Sequence, residues 1–270
     1  MDIEKLSAAD RIRLARMADR PTAKEYIKYI FEDFVELAGD RLFGEDASII
    51  GGIASFDGTA VTVIGQQKGR NLDENLKYRF GMPNPDGYRK AIRLMRQAEK
   101  FKRPIITFVD TPGAYPGKEA EERGQGIAIA EAIGTLARVN VPVISVFIGE
   151  GGSGGALALG VCDKLIMLEN SVFSILSPEG FASILWKDGS RWEEACDVMK
   201  MTAEDLYSMK ICDKIIKEPV QGAGSARGYI FDAVAEAIRE MLGEIRKNSR
   251  HIAEERYKKL RKVGEELAKN

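Results

Sequence analysis

The sequence predicts an α/β protein in which a parallel β-sheet is covered by helices on both faces. Two continuous apolar runs, at 104–109 and 141–148, have the length and composition of buried strands. Residues 119–139 between them have a helical pattern, and a long helical connection is what joins parallel strands. A glycine cluster at 149–155 follows the second strand, at the end of the sheet where open α/β folds bind ligands.

The N-terminal segment, residues 1–38, predicts two helices. Ser7 is suited to begin the first helix. Thr22, followed three residues later by Glu25, is a capping-box pattern for the second helix, which we expect to run to Leu37.

Two β-rich runs follow at 48–55 and 59–67, and Asp57-Gly58 between them predicts a hairpin turn. Residues 68–85 are polar and charged without a clear period, which predicts a long loop that faces a ligand or a partner.

The rest of the chain continues the alternation of helices and strands. We expect helices at 86–102, 153–161 and within 178–209, strands at 165–168, 172–175 and 213–216, and one long charged helix at 229–269 with a break near Asn248. These elements predict one domain over residues 1–270, with a core at 39–223 and a C-terminal helix at 224–270.

Composition excludes several classes of function. The net charge of −1 favours neither nucleic acid nor membrane binding, and no apolar stretch is long enough to span a bilayer. No signal-peptide pattern opens the chain, and three scattered cysteines suit a reducing compartment, so we expect a cytoplasmic protein. His251 is the only histidine and no CxxC pair exists, so we expect no metal site on this chain.

The densest chemical signal is the cluster Gly149-Glu150-Gly151-Gly152-Ser153-Gly154-Gly155-Ala156, between a strand and a helix. Glycines let a ligand approach the backbone, and the free N–H groups of a helix N-terminus point at that ligand. This is how an oxyanion hole is built from main chain. The simpler interpretation is a tight turn beneath closely packed elements, although five glycines in seven residues exceed what a turn needs.

Three other motifs fit this region less well. Gly149-x-Gly151-x-x-Gly154 matches a dinucleotide fingerprint, with Glu169 as the ribose-binding acid, but it falls late in the chain. Gly151-x-Ser153-x-Gly155 matches a nucleophile elbow, but His251 is the only candidate base and lies in the charged C-terminal helix. Asp110-Thr111-Pro112-Gly113 resembles a GTPase motif, yet the chain has no P-loop.

Two further segments have open interpretations. Gly113, Ala114 and Gly117 either form a second ligand-binding turn at a strand end or a plain Pro/Gly loop. The run at 198–201 resembles the Met-Lys-Met around a biotinylated lysine, but its surroundings read as a helix end followed by a new N-cap at Thr202, which favours coincidence.

Taken together, the motifs resemble the carboxyltransferase α subunit of bacterial acetyl-CoA carboxylase, over about residues 26–223 and in the same order. The segments that carry the resemblance are 80–83, 86–91, 104–117, 121–125, 149–156, 177–180 and 182–187. It implies a crotonase-like (ClpP/crotonase) fold of stacked ββα units with flanking N- and C-terminal helices. It also implies an α2β2 assembly with a zinc-ribbon β subunit.

The same resemblance implies that a carboxyl group passes from biotin, held by the biotin carboxyl carrier protein and charged by biotin carboxylase, to acetyl-CoA, giving malonyl-CoA for fatty acid synthesis. Backbone N–H groups stabilise the developing oxyanion, and no protein base is required. We expect the catalytic donors at Gly151, Gly152, Gly155 and Ala156. We expect substrate to contact Gly113, Ala114, Tyr115 and Gly154.

Competing functions remain open from the sequence alone. The alternative enzyme is a related biotin-dependent decarboxylase or a carboxyltransferase for a longer acyl-CoA. A scaffold that only docks the β subunit is the non-catalytic alternative, and the intact glycine cluster speaks against it because a scaffold has no need for bare N–H groups. We expect the acyl-CoA to bind mainly to the partner subunit. Either its phosphates contact Lys68, Arg70, Lys77 or Arg79, or these residues lie in a solvated loop. The C-terminal helix serves oligomerisation or docks on its own core.

Overall fold

One eight-stranded sheet organises the chain in a computed structural model that describes residues 6–248 and 251–264. Its order is β1-β2-β3-β4-β5-β6-β8, and β7 pairs with the C-terminal end of β5. The strands are β1 Glu32–Glu36, β2 Ile49–Phe56, β3 Thr59–Gln66, β4 Ile105–Thr111, β5 Val143–Gly152, β6 Lys164–Leu168, β7 Val172–Ser174 and β8 Lys214–Ile216.

Twelve helices surround the sheet in the part of the chain that the structure describes. They are α1 Ala8–Ala15, α2 Ala23–Ile30, α3 Leu72–Lys77, α4 Pro85–Lys100, α5 Lys118–Glu122, α6 Gln125–Arg138, α7 Ser153–Gly160, α8 Pro178–Trp186, α9 Trp192–Met199, α10 Ala203–Ser208, α11 Arg227–Asn248 and α12 Ile252–Arg261. No helix among the described residues has the length and apolar character to cross a membrane.

The centre of the sheet is parallel, as predicted. Strands β3, β4, β5, β6 and β8 run in one direction, and every residue of β4 is buried. Strands β1 and β2 are antiparallel to their neighbours, and the hairpin at Asp57-Gly58 is confirmed. Both turn residues have positive φ, 49° and 70°, which is the conformation that a two-residue type I′ hairpin requires.

Helices cover both faces of the sheet, so the predicted layering is confirmed. On one face Tyr26 of α2 stacks on Phe108 of β4 at 5.4 Å and meets the edge of Phe231 of α11 at 4.8 Å. On the other face α4, α6 and α7 bury residues such as Leu94 and Leu136. The carboxyl ends of β4 and β5 therefore emerge between two packed layers.

The prediction of two helices over residues 1–38 is wrong in its second half. The capping box at Thr22 is present, but α2 ends at Ile30 and residues 32–36 form edge strand β1. Asp33 has φ 52° where the register between β1 and β2 shifts, so β1 contains a bulge. Pairing with β2 thus overrides the helical pattern of this segment.

Two other predicted helices are divided. The helix predicted at 119–139 is α5 and α6, because Gly124 has φ 80° and interrupts it. The helix predicted at 229–269 is α11 and α12, with the break after Asn248 as expected. Its predicted extension beyond residue 264 lies outside the described residues.

The C-terminal helix α12 docks on its own core. Arg256 is 1% exposed and donates to the carbonyls of Leu136, Val139 and Val141 at 2.6–2.8 Å. It also pairs with Asp163 at 2.7 Å. The guanidinium therefore satisfies the carbonyl groups that the end of α6 leaves without a partner.

Candidate functional site

The predicted glycine cluster forms a corner at which β5 passes into α7. Gly151 and Gly152 are the last residues of β5, and Ser153 begins α7 with φ 50°. Among the described residues, no side chain caps this helix at Gly152. Because the first amides of a helix have no intrahelical acceptor, the N–H groups of its first turn are available to a ligand.

The predicted donors of this corner are not equivalent. Helix geometry pairs the N–H of Ala156 with the carbonyl of Gly152, four residues earlier. The N–H of Gly154 faces the hydroxyl of Ser153. Gly155 is the third helical residue, and its amide belongs to the group without an intrahelical acceptor. Gly155 is therefore the best placed donor of the helix.

The facing corner is the turn that follows β4. The N–H of Gly113 donates to the Thr111 hydroxyl at 3.0 Å, and the N–H of Tyr115 donates to the Pro83 carbonyl at 3.1 Å. The N–H of Ala114 has no hydrogen-bond partner among the described residues. An unpaired amide is uncommon in a folded chain, so Ala114 is the second candidate donor.

The two corners touch through their backbones. A Cβ atom on Gly155 would lie 2.7 Å from the Ala114 nitrogen and 2.8 Å from the Gly113 carbonyl carbon. A Cβ atom on Gly152 would lie 2.1 Å from the Pro112 carbonyl oxygen. Only glycine permits this approach, which brings the helix N-terminus and the amide of Ala114 to one place.

The other glycines of the cluster are explained by packing. A Cβ atom on Gly149 would meet the Asp110 carboxylate at 2.4 Å, and one on Gly151 would meet the Phe147 ring at 2.4 Å. Gly151 also lies in register with Thr111 on one side and Phe173 on the other, so its amide belongs to the sheet. At these positions the simpler interpretation, close packing, accounts for the glycine.

A partly buried charged cluster lies next to the two corners, and the sequence reasoning missed it. The Lys68 ammonium is 2.7 Å from Asp110 and 2.8 Å from Glu150. Arg16 bridges Glu150 at 2.8 Å and Glu179 at 2.6 Å. The cluster ties the ends of β3, β4 and β5 to α1 and α8. Charged residues after three strand ends were a visible signal of it.

Lys68 and Glu150 of this cluster stay charged at neutral pH. Burial alone would lower the pKa of Lys68, but Asp110 and Glu150 outweigh burial and raise it above its usual value. Burial alone would raise the pKa of Glu150, but Lys68 and Arg16 lower it below its usual value. Neither group is therefore a neutral-pH acid or base, and the cluster has a structural role.

A cavity of about 230 Å³ opens beside the cluster. Its lining includes Lys68, Phe80, Pro112 and Glu150. Phe80 belongs to a turn in which Arg79, Phe80 and Gly81 have φ of 48°, 56° and 77°. Left-handed backbone at consecutive non-glycine residues is strained, and such strain occurs mainly at functional sites. The prediction of a loop without regular structure at 68–85 is wrong in part, because α3 and this turn lie within it, and the segment places an aromatic ring at the cavity.

The four basic side chains of the long loop have intramolecular partners. Each ammonium or guanidinium contacts a carboxylate or an aromatic ring. The contacts are Lys68 with Asp110 and Glu150, Arg70 with Glu25 at 2.5 Å, Lys77 over Tyr78 at 5.4 Å, and Arg79 with Asp46 at 3.2 Å.

The competing motifs fit the structure less well than the backbone donors. Ser153 has the strained strand-to-helix conformation of a nucleophile elbow, but His251 precedes α12 beside Asn140, at the opposite end of β5. The length of β5 separates them by about 30 Å. Glu169 pairs with Lys217 at 2.8 Å and accepts from the Glu218 amide. It is therefore engaged within the chain.

The segment around Lys200 is a helix end, as predicted. Lys200 follows α9 with φ 49°, and Thr202 caps α10 through a capping box with Asp205. A biotinylated lysine on a hairpin turn does not fit this geometry.

A family model described as acetyl co-enzyme A carboxylase carboxyltransferase-like matches residues 2–264. The acetyl-coenzyme A carboxylase carboxyl transferase subunit alpha of Clostridium acetobutylicum is 56% identical over 262 residues, which cover 97% of this chain and 96% of that protein. A protein of Natranaerobius thermophilus named as subunits beta/alpha of the same enzyme is 54% identical over 268 residues. This match covers 99% of this chain but 44% of that protein.

Solved structures share the fold at low identity. A transcarboxylase 12S structure superposes with a TM-score of 0.65 and 17% identity, covering 83% of this chain and 44% of that one. A Pseudomonas malonate decarboxylase hetero-tetramer in complex with coenzyme A superposes with a TM-score of 0.66 and 20% identity, covering 79% and 86%. The predicted crotonase-like fold is thereby confirmed.

Proposed function

Because the chain belongs to the acetyl co-enzyme A carboxylase carboxyltransferase-like family, we propose that it is the carboxyltransferase α subunit of an acetyl-CoA carboxylase. It transfers a carboxyl group from biotin to acetyl-CoA and forms malonyl-CoA, the first committed step of fatty acid biosynthesis. The match at 56% identity along 96% of the Clostridium acetobutylicum α subunit carries the proposal. That identity extends over the whole length and not over a single motif.

In this proposal the corner formed by Gly155 and Ala114 is the oxyanion hole. Both groups are neutral N–H donors, one with no partner and one at a helix N-terminus whose dipole favours negative charge. Donors fixed before the reaction stabilise an oxygen that gains charge in the transition state, and each contributes about 3–4 kcal/mol.

The remaining predicted residues shape this hole. Gly152 allows β5 to reach the facing turn, Gly151 leaves room for the Phe147 ring, and Ala156 closes the first turn of α7. Gly113 has φ 150°, a conformation that favours glycine, in the turn that carries Ala114.

Two further predicted residues flank the hole. Gly154 is open on one side, since a Cβ there would meet only Ile129 at 3.3 Å. Tyr115 is half-buried beside the turn. We propose both as substrate contacts.

The biotin itself is held by a separate carrier, and it supplies the carboxyl group when its carrier docks. The donor set of this chain fits an oxygen acceptor such as a ureido or thioester carbonyl, because it consists of N–H groups without a neighbouring free carboxylate. The carboxylates of Asp110 and Glu150 are paired with two cations, Lys68 and Arg16. They therefore do not repel a developing negative charge.

We propose a β subunit with a zinc ribbon as the partner, in an α2β2 assembly in the cytoplasm. A relative in which beta and alpha subunits form one chain supports a β partner. Exposed apolar side chains beside the site, Ile175, Ile184 and Leu185, are suited to be covered by it. The biotin carboxyl carrier protein and biotin carboxylase complete the proposed complex.

The test is reconstitution with separately purified subunits. Acetyl-CoA formed from malonyl-CoA is measured with biocytin as the carboxyl acceptor, for this chain alone, for a β subunit alone and for the mixture. Activity only in the mixture supports a shared site. Full activity of the β subunit alone would reduce this chain to a scaffold and overturn the proposal.

A further inference from the structure

A buried glutamine connects the two corners of the site. Gln66, the last residue of β3, is 0% exposed. Its side-chain Nε2 donates to the Gly155 carbonyl at 2.7 Å, and its Oε1 accepts from the Asp110 amide at 3.2 Å. One side chain thus bonds to the first turn of α7 and to the end of β4.

The position of Gln66 is one where an apolar side chain is expected. Ile64, two residues earlier on the same face of β3, lies in the apolar core between the sheet and α4. A buried amide contributes less to stability than an apolar side chain of that size unless both its ends are paired. Here both ends are paired, and both partners belong to the corners that carry the proposed donors.

Gln66 replaces the backbone pairing where the sheet ends. The register between β3 and β4 stops at Gly65 and Phe108. Beyond that point the Asp110 amide is held by the Gln66 side chain, and the Asp110 carboxylate accepts from the Glu150 amide at 3.0 Å. The ends of β3, β4 and β5 are therefore linked in sequence.

We propose that Gln66 is a positioning residue for the oxyanion hole. Its side chain holds the carbonyl of Gly155, and the backbone N–H of Gly155 is the proposed donor to the ligand. This inference rests on the proposed function. The anchored carbonyl and the donor N–H are joined through the Cα atom of Gly155, so a shift of the carbonyl displaces the first turn of α7 and the donor with it. Misplacement of a donor by about 1 Å reduces turnover by about 100-fold.

The first experiment compares Gln66→Met with Thr107→Val in the complex with the β subunit. Methionine matches glutamine in size and removes both hydrogen bonds. Thr107 is the matched control, because its buried hydroxyl donates to the Leu159 carbonyl of α7 at 2.7 Å, at the other end of the helix. We expect Gln66→Met to lower kcat by about 10- to 100-fold at nearly unchanged KM. We expect Thr107→Val to keep the wild-type kcat.

The second experiment uses Gln66→Glu and remains informative if Gln66→Met does not fold. A protonated glutamic acid donates to the Gly155 carbonyl and accepts from the Asp110 amide, as glutamine does, whereas a carboxylate cannot donate. Burial raises the pKa of such a group. We therefore expect the ratio of variant to wild-type kcat to rise as the pH is lowered. The charged groups nearest to this side chain, Lys68, Asp110 and Glu150, are present in both proteins, so the ratio isolates the effect of the substitution.

The outcomes separate this role from the proposed function. Any one of three results would overturn the positioning role. The first two are equal losses of kcat in Gln66→Met and Thr107→Val, and wild-type kcat in Gln66→Met. The third is a kcat ratio for Gln66→Glu that does not change with pH. An inactive wild-type complex would overturn the proposed function and the role of Gln66 with it.

Discussion

Adding one methyl group at Gly155 is the most direct test of the two-corner geometry. In Gly155→Ala the new Cβ would lie 2.7 Å from the Ala114 nitrogen, and ordinary van der Waals contact begins at 3.4 Å. The helix and the turn must therefore separate by about 0.7 Å (3.4 − 2.7). Both close neighbours are backbone atoms, so no side chain can move aside.

This separation predicts a larger effect on turnover than on folding. Overpacking of this kind costs about 1–3 kcal/mol of unfolding free energy. A displacement of several tenths of an ångström at the donors should lower kcat by about 10- to 100-fold. Turnover is measured on the reconstituted complex with malonyl-CoA and biocytin, and the unfolding free energy is measured by urea unfolding of the isolated chain.

A glycine with free space is the control. A Cβ on Gly126, in α6, would meet no heavy atom within 4 Å, so Gly126→Ala should keep the wild-type kcat. A folded Gly155→Ala protein with wild-type kcat would refute the reasoning, because the two corners would then tolerate separation without loss of function.

Four further predictions concern residues around the site and the C-terminus. Ser153→Ala should keep kcat within about threefold of wild type, since the proposed donors are backbone groups; complete loss in the same assay would favour a serine nucleophile. Lys68→Met should lower the unfolding free energy by about 3 kcal/mol, because it leaves the buried Asp110 carboxylate without a cationic partner, and urea unfolding measures this. The pKa of Glu150 lies below its usual value in the folded protein, so ionised Glu150 stabilises the fold above about pH 4.5. This contribution is lost as the pH falls through the pKa of the folded state. Glu150→Gln should therefore make the unfolding free energy depend less on pH in the acid range. Arg256→Ala should lower the unfolding free energy by about 3–5 kcal/mol, whereas Tyr257→Ala, at an exposed site, should change it by less than about 0.5 kcal/mol.

The core of the fold was predictable because its signals are local. The strands at 105–111 and 143–152 are continuous apolar runs, and the hairpin at Asp57-Gly58 has a turn that only a few dipeptides form. The edge strand at 32–36 was not predictable from its own residues. Its aromatic and aliphatic positions suit a helix as well as a strand, and pairing with β2 decides between them.

The location of the site was predictable, but the ranking of its donors was not. The glycine cluster and the turn at 113–115 both follow buried strands, so their meeting at one edge of the sheet could be expected. Which amides are free depends on hydrogen bonds such as that between Gly113 and Thr111. Gln66 was missed because its partners are 89 and 44 residues away along the chain.

The two interpretations of the glycine cluster, close packing and ligand binding, describe one geometry. Without a Cβ on Gly152 and Gly155, α7 approaches the turn until backbone touches backbone, and this approach is what brings the Ala114 amide to the helix N-terminus. The number of glycines in the sequence cannot separate these interpretations. The decisive quantity is the number of amides that remain without an acceptor after the two corners have met. Among the described residues Ala114 is such an amide, and it lies against Gly155, whose own N–H is in the first turn of the helix.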